Sequence, residues 1–184
     1  VPISVNISRI DFYAVDLIAV LTELLQRYDL QPDLLELEIT ESAYARDYEQ
    51  MTKTVSRLRE EGFHVLLDDF GSAYSSLNIL KDVNVDILKI DMKFLDLTDE
   101  NLRRGMGILD AIIRMAKWMG FGVIAEGVEM AQQMEFLLEL GCECAQGYYF
   151  YRPAPIKEVE KLLMNHQMVD MQRAFAVQNA LVDS

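Results

Sequence analysis

Six short apolar runs in this chain each end on a polar side chain, and helix-like sequence separates most of them. The runs close at Asn6 after Ser4-Val5, Glu38 after Leu37, Asp68-Asp69 after Leu67, Lys89 after Leu88, Glu126 after Ile124-Ala125, and Gln146 after Ala145. Strand, helix, strand in that rhythm predicts parallel strands joined by helical crossovers. In a barrel built this way the C-terminal strand ends converge on one face, where catalytic groups sit. Acids, amides and a lysine placed by one rule read as a single active site, and the chain reads as an enzyme.

The apolar, β-branched runs place strands near 3–7, 35–40, 64–68, 85–90, 121–125 and 142–146. Apolar residues at helical spacing place helices near 11–29, 44–62, 99–119 and 129–140; Leu17, Val20, Leu21, Leu24 and Leu25 form one such stripe. Gly62, Gly120 and Gly141 stand where helix C-caps are expected, and residues 72–82 hold only a short helix. An eight-fold barrel takes about 250 residues, or about 31 per unit. Six strands by residue 146 leave two unaccounted for, and 155–182 reads as helix behind the breakers Pro153 and Pro155. The expected fold class is therefore α/β, a modified TIM (β/α)8 barrel with about six of eight strands present. The remaining strands are expected upstream of Val1, where the chain starts Val1-Pro2 without a methionine. An open, flavodoxin-like sheet is the alternative.

At 184 residues and 51% hydrophobic content the chain can bury one sizeable core. No apolar run reaches the ~18–20 residues of a membrane span. The net charge of −13 argues against binding nucleic acid in bulk, which demands basic patches. A small anionic ligand stays possible if a divalent cation first neutralises the carboxylates. Cys142 and Cys144, at i, i+2, suit reduced core thiols of a cytoplasmic protein better than a disulfide or a zinc site. His64 and His166 stand alone, with His64 expected to pack within a strand, and no Gly-rich phosphate loop is visible. Met106, Met115 and Met119 read as core filler.

Asn6, Glu38 and Asp68 are hard oxygen donors on three successive strand tips, the kind Mg2+ or Mn2+ prefers. Asp68-Asp69 is more specific: two adjacent acids can share a site where the chain turns, at a cost in repulsion that cations relieve. Two metal ions about 3.5–4 Å apart would do so, as in many phosphodiester-cleaving sites. Lys89 ends an apolar strand and would stabilise developing phosphate charge or hold the attacking water. An ion pair with Asp86 or Asp91 is its structural alternative. Glu126 suits a general base, and Gln146 offers donor and acceptor to water or substrate. Tyr148, Tyr149, Phe150 and Tyr151 supply aromatic surface, at least two of them expected to pack on the core or rim.

At these residues the chain resembles the EAL-domain family of cyclic-di-GMP phosphodiesterases. The matching stretches are Ser4-Val5-Asn6-Ile7-Ser8, Glu36-Leu37-Glu38-Ile39-Thr40-Glu41-Ser42 and Asp68-Asp69-Phe70-Gly71-Ser72-Ala73-Tyr74-Ser75-Ser76-Leu77. They continue with Leu88-Lys89-Ile90-Asp91, Ala125-Glu126-Gly127-Val128-Glu129 and Gln146-Gly147-Tyr148. The resemblance implies a partial domain over 1–163 with a helical extension over 164–184. It implies hydrolysis of cyclic-di-GMP to linear pGpG by a water that one or two Mg2+ or Mn2+ ions activate. Asn6, Glu38 and Asp68 look like metal ligands, and Asp69 like a ligand of the second metal or its water. Lys89 looks like the water-positioning lysine, Glu126 like the base, and Gln146 like an active-site glutamine. Glu41 resembles the anchor of the loop after Asp69, near the family's dimer contact, and Asp91 and Glu129 are further motif positions. A homodimer, a cytoplasmic location with a parent that can be membrane-tethered, and upstream sensor or cyclase domains are also implied.

Two departures matter. Gly71-Ser72-Ala73-Tyr74 stands where the family has Gly-Thr-Gly-Tyr, and the Glu-Ala-Leu signature is absent from the chain. That signature glutamate is a metal ligand, and even the loss of a ligand's supporting partner costs about 10–100-fold. This length of chain is therefore expected to be weak or inactive by itself, and to pair along an exposed sheet edge or rearrange to cover it. A non-catalytic cyclic-di-GMP receptor or scaffold is the competing reading. An enolase-like lyase with Mg2+ and a lysine base is a distant third.

Overall fold

The computed structural model describes residues 2–14, 16–71, 80–92 and 102–164. β1 (Ile3–Asn6), β2 (Leu35–Thr40), β3 (His64–Phe70), β4 (Ile87–Asp91), β5 (Gly122–Glu126) and β6 (Cys144–Ala145) pair in that order, every pair parallel. Between them run α1 (Asp11–Ala14), α2 (Leu17–Tyr28), a 3-10 turn at Pro32–Leu34, α3 (Glu41–Arg46), α4 (Tyr48–Glu60), α5 (Leu102–Trp118) and α6 (Ala131–Glu139). α7 (Ile156–Met164) follows β6. Spatial order equal to chain order is the winding of a barrel. A flavodoxin-like sheet instead reverses direction at a switch point, so that alternative is overturned. The six strands form a half-barrel, open at β1 and β6 among the described residues.

Alternation along each strand sorts the side chains onto two faces. Leu37, Ile39, Val65, Leu67, Leu88, Ile90 and Ala125 are fully buried on the face that meets the helices, with α4 against β3 and α5 against β5. The residues between them, among them Glu38, Leu66, Asp68, Lys89 and Glu126, therefore share the opposite, concave face. A parallel sheet covered on both faces reads as nearly continuous hydrophobic sequence. The polar positions in these strands thus mark where the concave face is used for something else.

Several local expectations are corrected. α2 buries Leu17, Leu21 and Leu25 but leaves Val20 and Leu24 exposed, because the four-residue spacing makes one narrow line toward the core. Gly62, Gly120 and Gly141 do end helices, with φ of 92°, 84° and 67°. His64 starts β3 exposed rather than packed, since alternation turns it to the side of Leu66 and Asp68, away from the helices. Cys142 is buried but Cys144 is exposed; both are free thiols. Tyr148, Tyr149 and Tyr151 are exposed and only Phe150 of that run packs on the core, because the run lies in a loop beyond β6. Met106 and Met115 are half-buried and Met119 is exposed, while Met51, Met92 and Met134 fill the core. Most of the short helix expected over 72–82, the loop at Ser72-Ala73-Tyr74 and the extension with Met168, Met171, Phe175 and Leu181 fall outside the described residues.

One ion pair ties the helical layer to the strand starts. The Asp86 carboxylate accepts from Arg59 of α4, at 2.7 Å from Nη2 and 3.1 Å from Nε, and from the Val65 amide of β3 at 2.9 Å. Its backbone continues the stitch: Asp86 N donates to the Val65 carbonyl and Gly122 N donates to the Asp86 carbonyl, each at 2.9 Å. Asp86 is therefore engaged here and not with Lys89. Asp86→Ala strands the guanidinium and an amide together, and should lower stability by about 1–3 kcal/mol. Urea denaturation checks this: a lower midpoint at unchanged m supports the clamp, and an unmoved midpoint removes it.

Candidate active site

Lys89 occupies the middle of the concave face with its side chain only 4% exposed. Its ammonium lies 2.8 Å from Glu38 Oε1 on β2, 3.3 Å from Asp68 Oδ1 on β3 and 2.5 Å from Glu126 Oε1 on β5. A buried ammonium is costly unless it is paired and hydrogen-bonded, and three strands supply the partners. Burial alone would pull the lysine pKa down. Hydrogen bonds to Glu126 and Glu38, with the Asp68 charge, hold it well above the ordinary value instead. The same neighbours act unequally on the acid: burial pushes the Glu126 carboxyl up, Lys89 pulls it back, and the Asp68 charge adds to the rise.

Asp68 and Asp69 reach this cluster through a bulge rather than a turn. β3 runs on to Phe70, and its register against β4 slips by one residue between Leu67 and Phe70. Asp69 takes the extra position in a left-handed conformation, φ 56°, and its amide donates to Asp68 Oδ1 at 2.9 Å. Bulges of this kind re-aim side chains next to active sites. Here carboxylate oxygens of Asp68, Asp69 and Glu126 lie within 4.8 Å of one another. Asp69 is accordingly raised, first by burial and then by the charges of Asp68 and Asp91, against the opposing pull of Lys89.

The other expected positions surround this centre. Asn6 ends β1 opposite Glu38 in the ladder, exposed at the open edge. Glu41 begins α3 fully buried, capped into place by Thr40, and its Oε2 accepts from the Gly71 amide at 3.0 Å. Its Oε1 has no hydrogen-bond partner among the described residues. Gln146 donates through Nε2 to Glu126 Oε1. Asp91 stands opposite Glu126 in the β4–β5 ladder. With Glu126, Glu129 and Gln146 it lines an open cleft of about 610 Å3, whose far wall includes Tyr148 and Arg152. The Arg152 guanidinium lies 5.0 Å from the centre of the Tyr148 ring. Arg152 escaped sequence reasoning, although a cation directly after four aromatic residues was a readable signal.

A model of the EAL domain matches residues 1–153. The chain belongs to the EAL-domain family. It is 42% identical over 139 residues to the cyclic di-GMP phosphodiesterase NbdA of Pseudomonas aeruginosa, covering 76% of this chain and 18% of that protein. The EAL domain of Mycobacterium smegmatis DcpA superposes with a TM-score of 0.82 at 32% identity, over 90% of this chain and 74% of that one. The PaMucR phosphodiesterase in complex with c-di-GMP gives 0.78 at 35% identity, over 86% and 64%. The chain spans about a fifth of the length of the curated relatives it matches.

The charge arrangement predicts a pH-dependent penalty for removing Lys89. Its folded pKa is raised, so its contribution is complete through neutral pH and is lost only as pH climbs into the alkaline range. In Lys89→Ala the three carboxylates lose their counter-ion, and a buried charge left unpaired costs about 3–5 kcal/mol. Burial already raises the Glu126 carboxyl, and without the lysine it should take up a proton more readily still, so the penalty should shrink as pH falls. Thermal midpoints of both proteins at about pH 7.5 and about pH 5 read this out. A gap that does not narrow toward acid would mean the lysine is held by packing instead of by charge.

Proposed function

We propose that this EAL domain carries a metal-dependent phosphodiesterase site that opens cyclic-di-GMP to linear pGpG. The observation that carries the reading is the buried Lys89 shared by carboxylates of three strands beside the Asp68-Asp69 bulge. The donor set fits a hard divalent cation: one ammonium pairs with Glu38, Asp68 and Glu126, Asp69 lies close to the latter two, and this excess of acids calls for more positive charge. Asn6, Glu38, Asp68 and Asp69 would hold Mg2+ or Mn2+, whose oxygen preference matches them. Such an ion, when bound, would lower the pKa of water and favour its use as a nucleophile.

The chain's own residues do the rest. Glu126, already raised by burial, takes the proton as the water oxygen forms its bond to phosphorus; the ribose oxygen leaves with the electron pair of the broken bond and takes a proton from solvent. Lys89 keeps its charge throughout and faces the negative charge that builds on the phosphoryl oxygens. Gln146 orients Glu126 through its amide. The cleft along Tyr148 and Arg152 offers aromatic and cationic surface to a nucleotide. The names of the similar proteins, a cyclic di-GMP phosphodiesterase and a c-di-GMP complex of a phosphodiesterase, support this substrate. The family signature Glu-Ala-Leu is not among these 184 residues.

Incubation with cyclic-di-GMP and Mg2+ or Mn2+, resolved by chromatography, tests the reading. Linear pGpG should appear, should vanish with chelator, and should fall by about 100-fold or more in Lys89→Ala. Dinucleotide retained intact would assign the chain to ligand binding without cleavage, and no retention would overturn both.

A further inference from the structure

Beside Glu126 two loops run against each other with their backbones joined. Gln146 N donates to the Ala125 carbonyl at 2.8 Å, Val128 N to the Gln146 carbonyl at 3.1 Å, and Tyr149 N to the Val128 carbonyl at 2.9 Å. Phe150 N then closes the turn onto the Gly147 carbonyl at 3.1 Å. The contact is tightest at Gly147. A Cβ there would stand 2.2 Å from the Val128 carbonyl oxygen and 2.4 Å from the Val128 nitrogen. Those are backbone atoms, so no side chain can swing aside; the loops would have to part.

Nothing else described holds Gln146 so firmly. β6 is two residues long, and its ladder with β5 pairs Ile124 with Cys144 and Ala125 with Ala145, stopping one residue short of Gln146. Gln146 is itself exposed, so packing does not fix it. We infer that Gly147 is a positioning residue. By letting the 146–151 loop lie on the backbone of Val128, it holds the Gln146 carboxamide on Glu126 and sets Tyr148 along the cleft. The two loops after β5 and β6 then behave as one rigid unit. Its kinetic consequence rests on the phosphodiesterase reading; the structural claim does not.

The test uses Gly147→Ala, Gln146→Leu and the double variant, with the 15N-labelled wild-type chain as reference. In wild type the Val128 and Tyr149 amides should be protected from exchange and the Gln146 side-chain amide should carry a hydrogen-bonded shift. Fast exchange there overturns the inference before any variant is made. In Gly147→Ala those amides should exchange about tenfold faster or more, and the Gln146 amide should move to its free position. In the kinetic arm, Gly147→Ala and Gln146→Leu should each lower kcat by about 10–100-fold, with the double variant no worse than the poorer single. KM should rise in Gly147→Ala alone, since Gln146→Leu leaves the cleft wall in place. An unmoved Gln146 signal, or losses that add, would overturn the inference. If Gly147→Ala does not fold, Gln146→Leu decides, and unchanged kcat in it defeats the positioning role. If wild type shows no turnover, that failure belongs to the proposed reaction, and the exchange and amide signals judge Gly147 without it.

Discussion

A lysine on the concave face of a parallel sheet sets the terms for everything around it. Lys89 cannot be buried unpaired, and at 4% exposure it has little water to fall back on. Its partners come from three different strands, which makes the cluster a constraint on strand heights as well as on charge. Glu38, Asp68 and Glu126 must reach one ammonium although β2, β3 and β5 are joined by separate crossovers. Through the ladders they bring neighbours with them: Asn6 lies opposite Glu38, and Asp91 opposite Glu126. The apolar face holds the sheet to its helices, while the ion cluster occupies the opposite, concave face.

The cluster is also unbalanced, and the proposed reaction would draw on that imbalance. One ammonium paired with three carboxylates, and Asp69 beside them, leaves Asp69 and Glu126 raised by burial and by Asp68. Groups tuned this way are a feature of acid–base sites, though structural ion networks show it as well. Geometry supports the first of these for the proposed site. A structural network would have its carboxylates satisfied on all sides, as the Asp86 carboxylate is by Arg59 and Val65. The Asp69 side chain instead projects from a bulge in a conformation that non-glycine residues rarely adopt.

Much of this was legible in the chain because it depends on local rules. A polar residue ending an apolar run must face something other than the core, and the strand-to-helix rhythm says that all such ends lie together. Asn6, Glu38, Asp68, Lys89, Glu126 and Gln146 could be named on that basis. What stayed hidden is non-local. The Asp68-Asp69 pair read as a turn because a bulge is defined by the partner strand, which adjacent residues do not reveal. Arg59 and Asp86 lie 27 residues apart with nothing in either segment to couple them. The aromatic run after Gln146 read as partly core because hydrophobicity alone does not tell a cleft wall from packing; Tyr148 and Tyr151 became wall residues once the loop left β6.

The same logic explains why the loops need a device that the strands do not. Inside the sheet, register is enforced by hydrogen bonds on both sides and by alternation, so a slip of one residue would expose the whole apolar set. Beyond the last ladder pair neither restraint applies, and an exposed glutamine could take many orientations. Val128 and Gly147 restore the restraint by continuing strand-like backbone pairing past the end of β6, and this demands a residue without a side chain at the crossing. The glycine is therefore part of the electrostatic arrangement without carrying any charge. It extends the order of the sheet by one residue, to the point where Gln146 meets Glu126.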